Sequence, residues 1–427
     1  MKYFASTIVL VFALLLARTS LAECIKEGGR LIDGQCYCFR TADDKALKTS
    51  AEPCPKLFGI ELTFSNPTLM GHGGAEKLDD ELDDELDDAV GVALRWLEDM
   101  AKICADRAKS SVPADRCLVD RTSRRIVYED GFYVQVSIDD RVIELQARPL
   151  SHAEWVKYKH RIENDVFAFA AKRGLLPQRQ VGGRHVHIDV ASMFAGDSQL
   201  FLDFLVDFQN RPHLSVCALG SNFIANPPLA LQSERQRSEF KKIVSLYRRS
   251  ADEAMSRLRS TEPPRVDIVA LAKVLIDDVF NETISFASDP KYQAINLGHV
   301  ADLGTLEIRS IRPQKNWEQM ELLMRLFSAR IDYLKRHPRQ DYASPAFKLD
   351  SKLVYSYRDQ KALRLFFKTD AVSQACSDEF YDYVTGAGLS WDEYKSLLPD
   401  RVQAAKFLPT ALKRAARSSE DTQPLPK

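Results

Sequence analysis

The sequence predicts an α+β fold in which helices cover one face of a β-sheet. Four segments alternate polar and apolar residues with the period of a β-strand. Residues 124–150 carry the turn residues of a β-meander. Apolar residues recur at helical spacing between and after these strands. The four alternating segments are FGIELTF (58–64), RVIELQARPL (141–150), GRHVHIDVA (183–191) and LGTLEIRSIR (303–312).

Each of the four strands has one polar and one apolar face, because residues two apart in a strand share a face. The apolar faces suit helix packing. The polar faces carry Glu61, Thr63, Glu144, Gln146, Arg148, His185, His187, Asp189, Thr305, Glu307 and Arg309. Exposure to water would explain the polar face of any one such strand. It gives little reason for a His-x-His sequence to occur beside single glutamates. One sheet built from these strands therefore predicts a site for metal ions and phosphate.

Helical periodicity predicts the main helices of the chain. They are expected at about 78–108, 151–173, 197–210, 233–258, 266–281 and 316–336. The first begins with the acidic repeat LDDELDDELDD (78–88). This repeat lacks the glycine-turned loop of a calcium site, so we interpret it as a solvated helix face.

Composition places the chain among ordinary globular proteins. It has 427 residues, a net charge of -1, 28% charged residues and 45% hydrophobic residues. This length allows one large domain with additions, or two ordinary ones. No basic stripe with interleaved aromatics is present, so nothing indicates nucleic-acid binding. The sequence also lacks a P-loop, a G-x-S-x-G elbow and a dinucleotide fingerprint.

The N-terminus has the features of a secretory signal peptide. Lys2 precedes an apolar run at 8–16, and Ser20-Leu21-Ala22 is a small-x-small cleavage site. The mature protein is then expected to begin at Glu23 and to be secreted or periplasmic. The apolar run is too short for a good transmembrane helix, and no later segment qualifies. Lipidation of Cys24 is the weaker alternative, because a lipobox needs a small residue at the position of Glu23.

The eight cysteines all follow the cleavage site, and in an oxidising compartment an even number favours disulfides. Cys104 and Cys117 bracket a loop and are the easiest pair to propose, which leaves Cys217 with Cys376. The remaining four are predicted to staple an N-terminal arm. These are Cys24, Cys36, Cys38 and Cys54. Zinc binding by these four is a weaker alternative, because their spacing lacks paired C-x-x-C units.

Five ordered motifs give the chain a family resemblance. FGIEL, VIELQARPL, GGRHVHIDV, KYQAINL (291–297) and GTLEIRSIR together resemble the amidoligase family. That family belongs to the carboxylate–amine ligase superfamily, with glutamine synthetase and glutamate–cysteine ligase. The resemblance covers about residues 57–336. It implies a glutamine synthetase-like antiparallel sheet funnel backed by helices. It also implies an ATP- and Mg²⁺-dependent reaction that passes through an acyl phosphate to an amide or isopeptide bond.

The resemblance also implies roles for individual residues. The implied metal ligands are Glu61, Glu144, His187 and Glu307. The implied nucleotide or phosphate contacts are His185, Arg148, Arg309 and Asn296. The implied catalytic residues are Glu144 and Arg309. A surface salt bridge is the alternative explanation for Arg309. The substrates implied are a small-molecule or peptide carboxylate and an amine, including cell-wall carboxylates.

The predicted division of the chain follows from these features. It comprises a signal peptide at 1–22, a Cys-rich arm at 23–56, an amidoligase-like catalytic domain at 57–340, a C-terminal helical extension at 341–415 and a disordered tail at 416–427.

Two departures from the family pattern leave other functions open. The family's first strand usually has G-x-E-x-E, but Thr63 replaces the second glutamate and removes a metal carboxylate. Export also sends the chain where ATP is scarce. The first alternative is therefore a non-catalytic binding protein on the same scaffold. The second is a zinc-dependent hydrolase that uses His185, His187 and a carboxylate.

Overall fold

The structure of the chain is a computed structural model that describes stretches between residues 30 and 399. These are 30–32, 35–38, 47–48, 55–66, 69, 82–109, 111–139, 142–177, 184–194, 197–209, 211, 213–214, 218–219, 238, 242, 265–280, 294–337 and 370–399. The predicted signal peptide, the predicted helix at 233–258 and the predicted disordered tail lie outside these ranges, apart from two positions in that helix.

The described residues form an α+β fold around one open antiparallel sheet, so the predicted class is confirmed. Its nine described strands are β4 Leu57–Ser65, β5 Cys117–Asp120, β6 Arg125–Tyr128, β7 Tyr133–Asp139, β8 Val142–Ser151, β9 Leu176–Pro177, β10 Arg184–Asp189, β11 Ile295–Asn296 and β12 Thr305–Ile311. Eight of them follow the order β11-β12-β10-β4-β8-β7-β6-β5, and the ninth, β9, pairs with β4. The four segments predicted from alternation are β4, β8, β10 and β12, which are direct neighbours at the centre of the sheet.

A separate three-stranded antiparallel sheet lies near the N-terminus. Its strands are β1 Arg30–Ile32, β2 Gln35–Cys38 and β3 Leu47–Lys48. They lie within the predicted Cys-rich arm. Cys24 and Cys54 are outside the described residues, so the disulfides of this arm stay a prediction.

Helices pack against the sheet and against one another. Their bounds are α1 Leu82–Arg107, α2 His152–Lys157, α3 Lys159–Arg161, α4 Phe169–Ala171, α5 Val190–Phe194, α6 Ser198–Gln209, α7 Arg265–Val274, α8 Gly298–Asp302, α9 Trp317–Arg336, α10 Asp370–Gly386 and α11 Trp391–Tyr394. π-helical turns at Ile162–Ala168 and Leu275–Phe280 link or extend these helices, and short 3₁₀ turns lie at Pro113–Asp115 and Lys395–Leu397. The described parts of the predicted helices at 78–108, 151–173, 197–210, 266–281 and 316–336 are therefore confirmed, with boundaries shifted by a few residues.

The apolar face of the sheet is the centre of the core. The members of this face in the four central strands are all less than 5% exposed: Phe58, Ile60, Leu62, Phe64, Ile143, Leu145, Val186, Ile188, Leu306 and Ile308. Trp155 in α2 packs near Trp317 in α9, and its indole Nε1 donates to the Phe58 carbonyl at 3.0 Å. Removing this much apolar surface from water is the main stabilising term of the sheet.

Disulfide bonds tie elements of the fold together. The predicted disulfide between Cys104 and Cys117 is confirmed, and it ties α1 to the edge strand β5. Cys376 in α10 is also disulfide-bonded, while its predicted partner Cys217 lies outside the described residues.

Of the helices that the structure describes, none is long and apolar enough to cross a membrane.

Candidate functional site

The register of the sheet brings the predicted polar residues side by side. Glu61 in β4 lies directly opposite His185 in β10 and Gln146 in β8. In the next row, His187 lies between Glu307 in β12 and Gly59 in β4. Side chains that lie directly opposite on antiparallel strands have Cβ atoms about 4.5–5.5 Å apart, so they contact one another. We call this side of the central strands the polar face.

The polar face is enclosed rather than solvated. Glu61 and Glu144 are 8% exposed, His185 is 5% exposed and Glu307 is 1% exposed. The simple alternative, a water-covered face of an antiparallel sheet, therefore does not describe it. Charged groups taken out of water to this degree need partners of opposite charge or a metal ion.

Glu61, His185 and Glu307 converge from three neighbouring strands, and we call them the inner cluster. The Nδ1 of His185 lies 2.8 Å from Oε1 of Glu307 and also contacts Oε2 of Glu61. The ligand atoms of the three side chains all lie within 4.8 Å of one another. The amide of Gln146 donates to the other oxygen of Glu61, so that carboxylate is held on both sides.

The charges of the inner cluster support one another. Burial raises the pKa of Glu61, but the hydrogen bond and charge of His185 outweigh burial and lower that pKa to about 2. Burial lowers the pKa of His185, yet Glu307 and Glu61 outweigh it and raise that pKa to about 9. Burial also raises the pKa of Glu307, while His185 and the Arg309 charge bring it below its usual range. At neutral pH a protonated imidazole therefore lies between two carboxylates.

Glu307 has further partners beyond the inner cluster. A guanidinium nitrogen of Arg309 donates to Oε1 at 2.8 Å. The amide of Asn296 donates to Oε2 at 2.7 Å, and Nε2 of His299 lies 3.3 Å from the same oxygen. Asn296 also accepts from the backbone N–H of Gly298 at 2.9 Å, which anchors the start of α8 to this carboxylate.

The other predicted site residues lie at different distances from this centre. Glu144 lies one row away, opposite Thr63, and accepts from the Ser137 hydroxyl at 3.3 Å. His187 lies beside Glu307, with its Nε2 3.9 Å from Oε1. Arg148 is part of β8, but its side chain is outside the described atoms. The functional roles assigned to all of these residues stay predictions.

The inner cluster fits a divalent cation by its chemistry. Two carboxylates and one imidazole are suitable ligands for Mg²⁺ or Mn²⁺. The proton on His185 meets the same need for positive charge between the carboxylates, so a cation can take its place. His185 Nε2 is buried and has no hydrogen-bond partner among the described residues.

His299 is a site residue that the sequence patterns did not identify. It lies on the short helix α8 and is absent from the alternating strands, so strand periodicity could not single it out. Its only signal is its position three residues after Asn296, just beyond the end of the motif segment at 291–297. Gln146 shared the predicted polar face, but its hydrogen bond to Glu61 depends on a register that alternation does not specify.

Comparisons with known proteins leave the family open. No family model matches the chain, and no curated protein matches it. Among solved structures, the chain is similar to "Apo GmaS without ligand", at 11% sequence identity and a TM-score of 0.31, over 87% of this chain and 70% of that one. A likeness at this TM-score supports no conclusion on fold or function. The resemblance of the five motifs to the amidoligase family therefore stays a prediction.

Proposed function

We propose that this chain is an ATP-dependent carboxylate–amine ligase that acts on a small-molecule or peptide carboxylate. The observation that carries the proposal is the convergence of Glu61, His185 and Glu307 on one enclosed polar face. These three residues would hold a divalent cation. When bound, such a cation neutralises phosphate oxygens and aligns them for transfer. A sheet shaped as a glutamine synthetase-like funnel is part of the same proposal.

The proposed reaction has two displacements. The substrate carboxylate attacks the γ-phosphorus of ATP, an acyl phosphate forms and ADP leaves. The amine then attacks the acyl carbon, phosphate leaves and the nitrogen loses a proton. Arg309 brings a fixed positive charge to the face where the phosphoryl group would lie. Glu144, one row away, is the proposed acceptor of the proton.

Export is part of the proposal because of the N-terminal apolar segment with its small-x-small site. An exported ligase needs ATP where it acts. The proposal therefore requires that the mature protein works inside an ATP-containing compartment, such as another cell.

The test is a thermal-shift measurement on the full mature chain with its disulfides formed. A ligand at a hundred times its dissociation constant adds about 2.7 kcal/mol to the free energy of unfolding. We expect Mg·ATP to raise the Tm by several degrees, and to raise it more than Mg²⁺ or ATP with chelator. We also expect Glu307→Gln to lose this shift, because its amide carries no charge for the cation.

The matched control is Glu129→Gln, which changes an exposed glutamate on the meander turn that pairs with Arg116 at 3.7 Å. It should keep the full Mg·ATP shift. A folded wild-type protein that is not stabilised by Mg·ATP would contradict the proposal.

The second candidate function is a non-catalytic binding protein on the same scaffold. Thr63 favours it, because this buried hydroxyl faces Glu144 where a second carboxylate would complete another cation site. ADP release in the presence of a panel of amino acids and peptides separates the two functions. Binding of Mg·ATP without any ADP formation would favour the binding protein.

A further inference from the structure

The nine-stranded sheet ends at the short strand β5, which forms one of its open edges. β5 pairs with β6 along one side, and no strand of the described residues pairs with its other side. We propose that this edge is an interaction surface for a second copy of the chain. In the proposed dimer, β5 pairs antiparallel with β5 of the second copy across a two-fold axis at Leu118. The proposal does not depend on ligase activity.

The hydrogen-bond pattern between β5 and β6 determines which backbone groups face outwards. The backbone N–H of Glu129 donates to the carbonyl of Arg116 at 3.2 Å, and these two residues extend the register of β5 with β6. Along an antiparallel pair, opposed residues alternate between those that exchange hydrogen bonds and those that do not. The backbone groups of Leu118 therefore face β6. The N–H and C=O groups of Cys117 and Val119 face away from the sheet.

The charges at the two ends of the strand favour one register for self-pairing. When Cys117 lies opposite Val119 of the second copy, each such pair exchanges both of its backbone hydrogen bonds. The same register places Arg116 opposite Asp120 of the second copy, at both ends of the pairing. Registers that place Cys117 opposite Cys117, or Val119 opposite Val119, separate these charges. Opposite charges directly across a strand pair stabilise it, so this edge is complementary to itself.

Leu118 lies at the centre of this edge and gives it an apolar contact. It is 59% exposed, the highest value among the exposed large hydrophobic residues that the structure describes. In the proposed register it lies opposite Leu118 of the second copy, at a position that exchanges no backbone hydrogen bonds. Opposed residues approach one another most closely at such positions. Dimer formation would therefore remove both leucine side chains from water, which favours association.

β5 lacks several features that commonly prevent edge strands from pairing with other chains. Such features include lysine or proline in the strand and a β-bulge that twists the edge away. The strand contains neither residue type, and its register with β6 is unbroken. Its flanking charges differ in sign, so they favour self-pairing. A strand of this length nevertheless buries little area compared with the roughly 1,600 Å² of a standard interface, so we expect a reversible dimer.

The proposed pairing would join the polar faces of the two copies. From β5 to β4, the residues that lie opposite one another in turn are Asp120, Arg125, Gln135, Gln146 and Glu61. The side chain of Asp120 is therefore on the same side of the sheet as the inner cluster. Each Glu61 would lie nine strand spacings, roughly 40 Å, from its counterpart. The two inner clusters would face the same side without touching.

The experiment is sedimentation velocity of the full mature, disulfide-bonded chain over a concentration series that starts in the low micromolar range. We expect the mean mass to rise with concentration from one chain towards two. Leu118→Lys should remain monomeric, because it places two like charges opposite each other at the two-fold axis. The matched control is Leu176→Lys, which changes a leucine that is 54% exposed on β9, a strand that pairs with β4. This control should dimerise as the wild type does.

An exchange of charges tests the register. Arg116→Glu should raise the dissociation constant of the dimer about tenfold or more, because it places a carboxylate opposite Asp120 at both ends of the pairing. Adding Asp120→Arg to the same chain sets opposite charges across from each other again, so the dissociation constant should return towards the wild-type value. Near-ultraviolet circular dichroism checks that every variant is folded.

Two results would overturn the proposal. The first is a wild-type chain that keeps the mass of one chain across the whole series, which would leave this edge to a strand of another protein. The second is a folded Leu118→Lys variant that dimerises as tightly as the wild type, which would place the interface between copies elsewhere.

Discussion

Glu307 is the residue on which most contacts of the polar face converge. Its carboxylate is 1% exposed and touches side chains from β10, β11, β12 and α8. A carboxylate buried without partners would cost several kcal/mol. Here His185 and Arg309 supply positive charge and Asn296 supplies a hydrogen bond. The residue is thus both a structural centre and the natural place for a cation.

The pKa values of the inner cluster predict how metal-free stability depends on pH. His185 has its pKa raised from 6.5 to about 9, so its contribution is fully present below pH 6.5 and is lost as pH rises through 9. Glu61 has its pKa lowered from 4.5 to about 2, so its contribution is present above pH 4.5 and is lost as pH falls towards 2. We expect the free energy of unfolding in urea to fall by on the order of 2–3 kcal/mol between pH 6.5 and pH 9.

The variant His185→Gln is the control for this pH dependence. It removes the titrating group, so the decline above pH 6.5 should largely disappear even though the variant is less stable at the outset. Metal affinity should show the opposite trend and rise with pH, because the proton on His185 must leave. A decline of equal size in wild type and variant would contradict the assignment.

At the scale of a single strand, Gly59 keeps β4 close to His187. A Cβ built on Gly59 would lie 3.2 Å from Cβ of His187. We therefore expect Gly59→Ala to displace the His187 side chain and to destabilise the fold by about 1–3 kcal/mol, as overpacking does. Thermal unfolding measures the loss.

Gly91→Ala is the matched control for that substitution. Its Cβ would meet only the flexible guanidinium of Arg95, at 3.4 Å, on helix α1. Replacing glycine inside a helix by alanine gains roughly 0.5–1 kcal/mol. Opposite signs for the two variants are therefore expected. A neutral or stabilising Gly59→Ala would show that His187 is free to move away.

The central strands were predictable because their pattern has a period of two. Glu61, Glu144 and Glu307 each alternate with buried aliphatic neighbours, and that alternation alone put them on one face. Alternation does not predict which polar residues of neighbouring strands contact each other. Register shifts between Phe58 and Ile60 and between Arg184 and Val186 offset the pairing. Gly59 at the first shift is a residue type that often marks a bulge, but it does not specify which partner residues are offset.

At the scale of the whole molecule, Arg330 links three parts of the chain. This side chain of α9 is 3% exposed and forms two 2.6 Å bonds to Asp207 of α6. It also lies over the Tyr383 ring of α10, with 4.7 Å between the guanidinium carbon and the ring centroid. No pattern in the sequence predicts this link, because its members are far apart along the chain and each is also typical of a surface position.

We expect Arg330→Met to lower the free energy of unfolding by about 3–5 kcal/mol, because it leaves the buried carboxylate of Asp207 with less compensation. Arg325→Met on the same helix is the control. Arg325 pairs with Glu393, but both side chains are more than a third exposed, so its loss should cost no more than about 1 kcal/mol. Urea unfolding of both variants measures the difference, and equal losses would contradict the buried role of Arg330.

The position of the inner cluster along the chain has a kinetic consequence. Glu61 and His185 are 124 residues apart, and Glu307 lies further along again, so the three meet only after long-range strand pairing. Such non-local contacts form slowly because chain entropy must be lost first. A cation that needs all three ligands then binds after the rate-limiting step. It would leave the folding rate nearly unchanged and slow unfolding. The bound ion would therefore prolong the lifetime of the folded state without directing its formation.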